Sequence, residues 1–325
     1  MKNLINTFEK DDYYKNVLNN VAFQPIFIMG LHRSGTSILY KMLAETNCFN
    51  IVTAYHILNH SELLYNYFNN IEKKAKEDLT DFFKKQSQDD RIIDQLKINS
   101  DFPEEYGFLL NKKKNKFTLN QETLSIFIEF CKKIQLITKF DRPLLLKNPW
   151  DFLNFLYINM VFPNSKFIFI HRNPIKTLNS QIKMKRILLK FISPYMMLLS
   201  SNYEQNVKNK IKFNFLKLYN LLFNPILCFI QIKRFVNTTN IFLKKINFLN
   251  EEKYLNIRYE DLCAEPNLII LKIIKFLGLN IQSNINFNNY IKQRETKLTM
   301  ELQVLQFYFL KNVRGYLKYY NNISK

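Results

Sequence analysis

Glycine, arginine and hydroxyl-bearing residues are concentrated in one short stretch, Gly30-Leu-His-Arg-Ser-Gly-Thr-Ser37. The chain has only five glycines, and two of them bound this stretch. Glycine allows a backbone to approach a bound anion closely, while an arginine and hydroxyl groups supply donors to it. The stretch therefore predicts a site for a phosphate-like anion. Its candidate ligands are Arg33, Ser34, Gly35, Thr36 and Ser37.

The residues on either side of this loop predict a strand before it and a helix after it. Ile26 to Met29 is an apolar run without a polar break, which suits a strand buried on both faces. After Ser37, apolar residues recur at helical spacing through Leu43. Free backbone N–H groups at the start of a helix, together with the helix dipole, attract anions. The loop is therefore expected to bind its anion at a helix N-terminus.

The spacing of Gly30 and Gly35 equals that of a P-loop, G-x-x-x-x-G-K-[ST], with one departure. Thr36 stands where a P-loop has the lysine that reaches the β- and γ-phosphates. A P-loop kinase or NTPase also needs an acidic strand end for Mg²⁺, whereas a later strand ends in the basic pair His171-Arg172. A kinase or NTPase is therefore the alternative enzyme, and a ligand-free strand-to-helix turn is the structural alternative.

The rest of the chain alternates strand-like and helix-like segments. The further predicted strands are 50–54, 142–147, 162–171 and 253–258. Asp101-Phe-Pro-Glu-Glu105 has the features of a helix start, and Asn173-Pro174 those of another. This alternation predicts an α/β protein with a mainly parallel sheet of about five strands between two helical layers. We expect one domain over residues 1–325, with a helical insertion at 183–250.

Composition limits the class of protein and its partners. The chain of 325 residues is 47% hydrophobic and has a net charge of +20, which favours anionic small molecules, acidic membranes or polyanions as partners. No nucleic-acid motif is present, so no specific nucleic acid is expected. Four widely spaced cysteines predict neither a zinc site nor a disulfide, and no metal is expected. With no signal peptide and no apolar run long enough for a bilayer, a cytoplasmic location is expected.

The insertion 183–250 is oily and basic and contains no recognisable motif. It could form a lid or an acceptor wall, or lie against a membrane surface. Ordinary core or interface helices are the favoured alternative.

Four parts of the sequence together resemble sulfotransferases that use 3′-phosphoadenosine 5′-phosphosulfate (PAPS), most closely the bacterial and tyrosylprotein type. They are Phe27 to Ser37, Leu146-Lys-Asn-Pro149, Phe162 to Pro174 with Ser180, and Arg258-Tyr-Glu-Asp-Leu262. They extend from residue 25 to about 280. The resemblance implies a P-loop-like α/β/α fold and in-line sulfuryl transfer, with PAPS as co-substrate and its bisphosphate, PAP, as product.

The resemblance also implies roles for individual residues. Residues 33–37 would hold the 5′-phosphosulfate, and Arg172 and Ser180 the 3′-phosphate. Lys147 is expected near the transferred sulfuryl group, and Arg314 matches, weakly, a C-terminal element that touches the 3′-phosphate in some relatives. The missing P-loop lysine fits this interpretation, because PAPS has no β- or γ-phosphate.

A general base is needed to take the proton of the acceptor. In tyrosylprotein-type relatives a glutamate follows the loop helix, but the corresponding stretch here, Val52 to His56, has no carboxylate. His56 is the first choice, since imidazole titrates near neutrality, with His60 and Glu62 as alternatives. Glu104 and Glu105 are interpreted mainly as favouring a helix dipole. A role on the acceptor side is the alternative, since similar enzymes carry a Pro-Glu-Glu there.

The acceptor stays open among a small molecule, a glycan, a lipid and a peptide. A non-catalytic basic binding protein that keeps a degenerate sulfotransferase fold is the alternative from a different class. The sequence is also compatible with peripheral contact of the protein with a membrane.

Overall fold

A parallel sheet of five strands forms the centre of the computed structural model, which describes residues 9–85, 97–281, 286–288, 290–291 and 297–323. The strand order is β2-β3-β1-β4-β5, with every pair parallel. This confirms the α/β prediction. The strands are β1 Pro25–Met29, β2 Asn50–Ile51, β3 Leu144–Lys147, β4 Lys166–His171 and β5 Tyr254–Arg258.

Seventeen α-helices occur in the described ranges, in addition to 3₁₀ segments at Lys10–Asn20, Pro149–Asp151 and Glu251–Lys253. The helices before β4 are α1 Thr36–Glu45, α2 Ala54–Leu58, α3 Leu63–Phe68, α4 Glu72–Lys85, α5 Gly107–Lys114, α6 Gln121–Ile137 and α7 Phe155–Val161. Those between β4 and β5 are α8 Pro174–Lys190, α9 Pro194–Leu199, α10 Ser201–Lys208, α11 Lys210–Leu222 and α12 Asn224–Ile246. Those after β5 are α13 Tyr259–Ala264, α14 Pro266–Leu277, α15 Met300–Val304, α16 Gln306–Asn312 and α17 Arg314–Asn322.

The sheet is buried on both faces, as its unbroken apolar strands require. Alternate side chains of β1 enter different cores: Phe27 packs in one, and Ile28 in the other. The neighbouring strand β4 divides in the same way, so that Phe167 stacks on Phe27 with ring centroids 5.8 Å apart. Because all strands are parallel, the residues that follow β1, β3 and β4 lie along one edge of the sheet.

Helix α12 attaches the segment between β4 and β5 to the core. Its buried residues are spaced like one face of a helix: Cys228, Ile232, Phe235, Thr239, Phe242 and Ile246. Phe242 packs edge-on against Phe169 of β4, at 5.5 Å between ring centroids. Among the described residues no single helix is long and apolar enough to cross a bilayer. Lys210–Tyr219 and Asn224–Ile246 would meet that test of length and composition only as a pair, and they are bent by 89°.

Two local predictions were wrong. Residues 101–105 do not begin a helix: Pro103 forms an antiparallel bridge with Thr53, and helix α5 begins at Gly107. The second strand is shorter than predicted, because Thr53 caps α2 instead of continuing the strand. The sequence also predicts a polar helical lead-in over residues 1–24 and a charged helical stretch over 61–99. The lead-in contains a 3₁₀ helix, Lys10–Asn20. Residues 1–8 of the lead-in and 86–96 of the charged stretch lie outside the described residues.

Candidate active site

The loop between β1 and α1 is wrapped tightly against the end of β4. A Cβ on Gly30 would lie 2.6 Å from Ser34 Oγ and 2.8 Å from the carbonyl oxygen of Ile170. Gly35 has a φ of +105°, and Arg33, although not a glycine, has a φ of +72°. Both angles belong to the left-handed region, which turns the chain sharply into α1 at Thr36. The predicted strand, loop and helix are therefore all present.

Ser34 is suited to an incoming ligand. Its side chain is buried, and its Oγ has no hydrogen-bond partner among the described residues. A buried hydroxyl without a partner is uncommon in folded proteins, because its desolvation is then uncompensated. It stands beside the free N–H groups at the start of α1, where the helix dipole favours an anion. The loop thus offers donors that the protein itself leaves unused.

Two arginines and Ser180 meet beside this loop. Arg33 Nε donates to Ser180 Oγ at 3.1 Å, which joins the loop to the second turn of α8. Arg172 Nη1 donates to the carbonyl oxygen of Arg33 at 3.1 Å. The buried Arg172 Nε has no hydrogen-bond partner among the residues that the structure describes. Residues far apart in sequence therefore form one cationic site with unused donors.

Tyr259 packs against this site. It has no assigned role in the sequence-based predictions. The guanidinium carbon of Arg172 lies 4.6 Å from the centre of its ring. The same ring would be 2.3 Å from a Cβ on Gly35, so it also closes the space under the loop. Burial raises the pKa of its hydroxyl to about 12, so that it is neutral. Its position directly after β5, at the edge where ligands bind in such sheets, was the available signal.

Lys147 at the end of β3 is fully buried and points to the same loop. Its Nζ forms an ion pair with Glu105 Oε1 at 2.6 Å and donates to Ser37 Oγ at 3.3 Å. Burying a charge is costly unless it is paired, and Glu105 supplies the partner. Lys147 is thus held against the first turn of α1, beside the predicted anion.

Glu104 and Glu105 are buried and precede helix α5, which corrects their interpretation as acids in a first helical turn that favour its dipole. Glu104 accepts from the hydroxyl of Tyr195 at 2.9 Å and from the backbone N–H of Glu105 at 3.1 Å. The extended backbone at Pro103 turns both carboxylates inward, because it pairs with Thr53 instead of forming a helix. Two carboxylates therefore lie on the Lys147 side of the site.

A second buried carboxylate cluster fixes the turn after β3. Asp151 accepts from the hydroxyl of Tyr106 at 2.7 Å and from the amide groups of Asn148 and Asn154 at 2.7 and 2.9 Å. Burial raises the pKa of Asp151 to about 6, although these hydrogen bonds oppose the shift. The network holds the residue next to Lys147, so it positions that lysine.

His56 has a structural role in this fold. Its Nδ1 accepts from the backbone N–H of Thr53 at 3.1 Å, and its own N–H donates to Thr53 Oγ1, so the two residues form a capping box at the start of α2. Burial lowers the pKa of His56 to about 3. Its assignment as the base remains a prediction, but these contacts do not favour it.

The two alternative bases lie in other surroundings. Glu62 forms an ion pair with Lys10 at 3.0 Å. His60 Nδ1 is 3.0 Å from the carbonyl oxygen of Ile57, and burial lowers its pKa to about 4. His60 lines a cavity of about 200 Å³ together with Lys133 and Glu129, and the backbone carbonyl of His60 accepts from Lys133 Nζ at 3.2 Å.

The C-terminal helix α17 packs beside the ends of β4 and β5. The hydroxyl of Tyr316 is 2.8 Å from His171 Nδ1, and the hydroxyl of Tyr320 donates to Glu260 at 2.7 Å. Glu260 also accepts from the backbone N–H of Asn173. Arg314 is exposed at the first residue of α17. Its role toward an anion stays a prediction.

Within the described ranges, no group of three or more His, Cys, Asp or Glu residues is arranged to hold a metal ion. The groups that the site offers are cationic side chains, hydroxyls and helix N–H groups. Such donors suit an anion with several oxygen atoms.

The chain matches one known family in sequence and resembles solved sulfotransferases in fold. A family model described as "Sulfotransferase family" matches residues 25–283. Sulfotransferase STF9 from Mycobacterium avium is similar in structure, with a TM-score of 0.69 and 13% identity over 95% of this chain and 79% of that one. For sulfotransferase STF1 from Mycobacterium tuberculosis H37Rv the TM-score is 0.54, with 13% identity over 84% and 72% of the two chains. No curated protein matches in sequence. The match to the family model covers most of the chain, and the chain belongs to the sulfotransferase family.

Proposed function

We propose that the protein transfers the sulfuryl group of PAPS to a hydroxyl or amine of an acceptor. The observation that carries this proposal is the convergence of Arg33, Arg172 and Ser180 beside a helix N-terminus, with unused donors on Ser34 and Arg172. PAPS carries two separate anionic groups, and the site has two cationic side chains in the segments that follow two different strands, β1 and β4. Membership of the sulfotransferase family supports the same reaction.

In this proposal different residues bind the two anionic ends of PAPS. The N–H groups of the loop, Ser34 and the first turn of α1 hold the 5′-phosphosulfate. Arg172 and Ser180 hold the 3′-phosphate, with Arg172 kept in place by the Tyr259 ring. Arg33 bridges the two regions, because its side chain reaches Ser180 while its backbone lies in the loop.

Lys147 acts beside the transferred sulfuryl group, on the phosphate that leaves. Negative charge grows on the leaving phosphate during in-line transfer, and a fixed cation in a dry site stabilises that charge strongly. The Nζ of Lys147 lies 3.3 Å from Ser37 Oγ, so it is already beside the loop. The hydrogen bond between Asn148 and Asp151 holds the backbone next to Lys147, so that only the lysine side chain turns during the reaction.

We further propose Glu105 as the base, in place of His56. Glu105 is in contact with Lys147, whereas His56 Nδ1 is occupied by the backbone of Thr53. A histidine with a pKa of about 3 is also a weak base at neutral pH. When Lys147 turns to the leaving phosphate, Glu105 loses its counter-ion and becomes more basic. The acceptor's proton then moves to Glu105, without a covalent intermediate on the enzyme.

A thermal-shift experiment tests whether PAPS is the sulfuryl donor. PAP is expected to raise the melting temperature, by an amount equivalent to about 2.7 kcal/mol at a hundred times its Kd. ATP with Mg²⁺ is the competing ligand. A shift with ATP and Mg²⁺ alone would favour a kinase or NTPase, and no shift with either would favour a non-catalytic basic protein. Incubation with radiolabelled PAPS and a cell lysate then asks which class of acceptor becomes labelled.

A further inference from the structure

One face of α11 exposes apolar side chains in a continuous row. Counting along the helix, they are separated by four, three and four residues, which is the spacing of one helical face. Their exposed fractions are 86%, 65%, 53% and 62%. We call this row the apolar stripe; it consists of Ile211, Phe215, Leu218 and Leu222.

The apolar stripe is not the face by which α11 packs onto the protein. Phe213, on the other side of the helix, is 5% exposed and provides the inward contact. The helix packs against α8, α10 and α12. A surface helix normally places polar residues opposite its buried face, so α11 is apolar on both sides. Exposed apolar rows of this kind mark surfaces that contact another phase or another molecule.

The row continues around the corner into α12. Leu222 and Ile226, on the two sides of the 89° bend, are 62% and 53% exposed, and Phe223 between them is 40% exposed. The bend prevents the two helices from forming one straight span. Because α12 is anchored in the core by Ile232 and Phe242, the exposed corner can only lie on a surface.

Charge identifies the kind of surface. Residues 183–250 contain twelve lysines and arginines and one acidic residue, Glu204, a net charge of +11 out of the chain's +20. Lys208, Lys210 and Lys212 are exposed at the beginning of the stripe. A protein partner for an apolar row would not require this excess of one sign. Anionic lipid headgroups around an apolar interior match both properties at once.

We propose that the α11–α12 corner docks on an anionic membrane surface. The apolar stripe enters the boundary between headgroups and acyl chains, and the surrounding lysines contact the headgroups. Docking would hold the protein at a bilayer without a membrane-spanning helix. The proposal is independent of the sulfuryl donor, since no residue of the loop or of its anion site takes part.

Vesicle co-sedimentation of the full chain tests this. The probes are phosphatidylcholine vesicles with and without about 30% phosphatidylglycerol. We expect binding to the anionic vesicles only, and weakening when salt rises from about 0.1 M to about 1 M. Phe215→Ser with Leu218→Ser should reduce the affinity at least about ten-fold, because both side chains would leave the acyl boundary.

Matched controls come from apolar residues of the same type and exposure elsewhere. Phe140 and Leu268 are 64% and 56% exposed and lie outside the insertion. Phe140→Ser with Leu268→Ser should leave vesicle binding unchanged. Three results would overturn the proposal: no binding to anionic vesicles, equal losses in the two double variants, or a wild-type dimer in solution that only the stripe variant dissociates. The last result would show that a second copy covers the stripe.

Discussion

Arg172 makes two different contacts and keeps a third group unused, a combination that a lysine could not reproduce. Its guanidinium lies over Tyr259, donates to the backbone of Arg33 and keeps Nε unused. Arginine combines a planar surface for stacking with several donors in fixed directions, whereas lysine is a point charge on a flexible chain. A ligand held there therefore depends on the shape of the side chain as well as on its charge.

We predict that Arg172→Lys weakens PAP binding by roughly ten- to a hundred-fold, equivalent to about 1.5–3 kcal/mol for a charge-assisted hydrogen bond. Calorimetric titration with PAP measures this. Arg142→Lys is the matched control, because Arg142 is also partly buried but precedes β3 at the opposite edge of the sheet. Equal losses in both variants would contradict the assignment of Arg172.

Glu105 and His56 are the two candidates for the general base, and substitutions at the two positions distinguish them. We predict that Glu105→Gln lowers kcat by about 10²–10⁴ while PAP still raises the melting temperature. His56→Asn should lower stability, because it disturbs the cap of α2, but leave kcat of the folded protein near normal. The assay uses labelled PAPS and the acceptor that reacts fastest in a panel of phenols, alcohols and amines.

Glu105→Gln also leaves Lys147 buried without its counter-ion, so loss of activity alone could reflect misfolding. Glu105→Ala with added formate addresses this, because formate can enter the space and restore a carboxylate. Recovery of turnover with formate is expected. A normal kcat in Glu105→Gln would return the role of base to His56.

At the scale of elements, the loop between β1 and α1 depends on Gly35 for two reasons. Its φ of +105° is unfavourable for other residues, and a Cβ would collide with the Tyr259 ring at 2.3 Å. Gly278, which ends α14, has a φ of +71° but no atom within 4 Å of a Cβ. A substitution of Gly278 therefore tests backbone strain alone, whereas a substitution of Gly35 tests backbone strain together with a collision.

We predict that Gly278→Ala lowers the free energy of unfolding by about 1 kcal/mol, through the backbone alone. Gly35→Ala should cost more and also remove the thermal shift with PAP, because the ring that supports Arg172 must move. Chemical denaturation with and without PAP measures both effects. A Gly35→Ala protein that binds PAP normally would exclude this coupling of loop, ring and arginine.

These elements differ in how far the sequence predicts them. The loop from Gly30 to Ser37 is predictable because its signals are local: an apolar strand, two glycines and a helical repeat. The wrong helix start at residues 101–105 had equally good local signals, but pairing of Pro103 with Thr53, fifty residues away, overrides them. The contact of Glu105 with Lys147 follows from that pairing, so no local pattern indicates it. Likewise, nothing beside His56 in sequence indicates that the fold buries it.

At the scale of the whole molecule, the burial of histidine lowers the free energy of unfolding at acidic pH. His171 is buried beside Phe242, with its ring nitrogens 2.8 Å from the Tyr316 hydroxyl and 3.0 Å from Asn256 Oδ1. Burial lowers its pKa from 6.5 to about 4. Above pH 6.5 the ring is neutral in both the folded and the unfolded chain. Between pH 6.5 and about 4 only the unfolded chain takes up the proton, so the free energy of unfolding falls. Asp151, with a raised pKa, acts in the opposite direction below about pH 6.

We therefore predict that His171 alone removes roughly 2 kcal/mol of stability between pH 7 and pH 5. Urea denaturation at each pH measures the slope. His171→Gln should make the slope less steep, whatever its effect on stability at pH 7, because one titrating group is gone while the buried His56 and His60 still contribute. Asn256→Asp should flatten it too, since a carboxylate 3.0 Å from the ring stabilises the protonated form and brings its folded pKa back toward 6.5. If both variants keep the wild-type slope, the acid sensitivity arises elsewhere, and the histidine is protonated as readily in the folded chain as in the unfolded one.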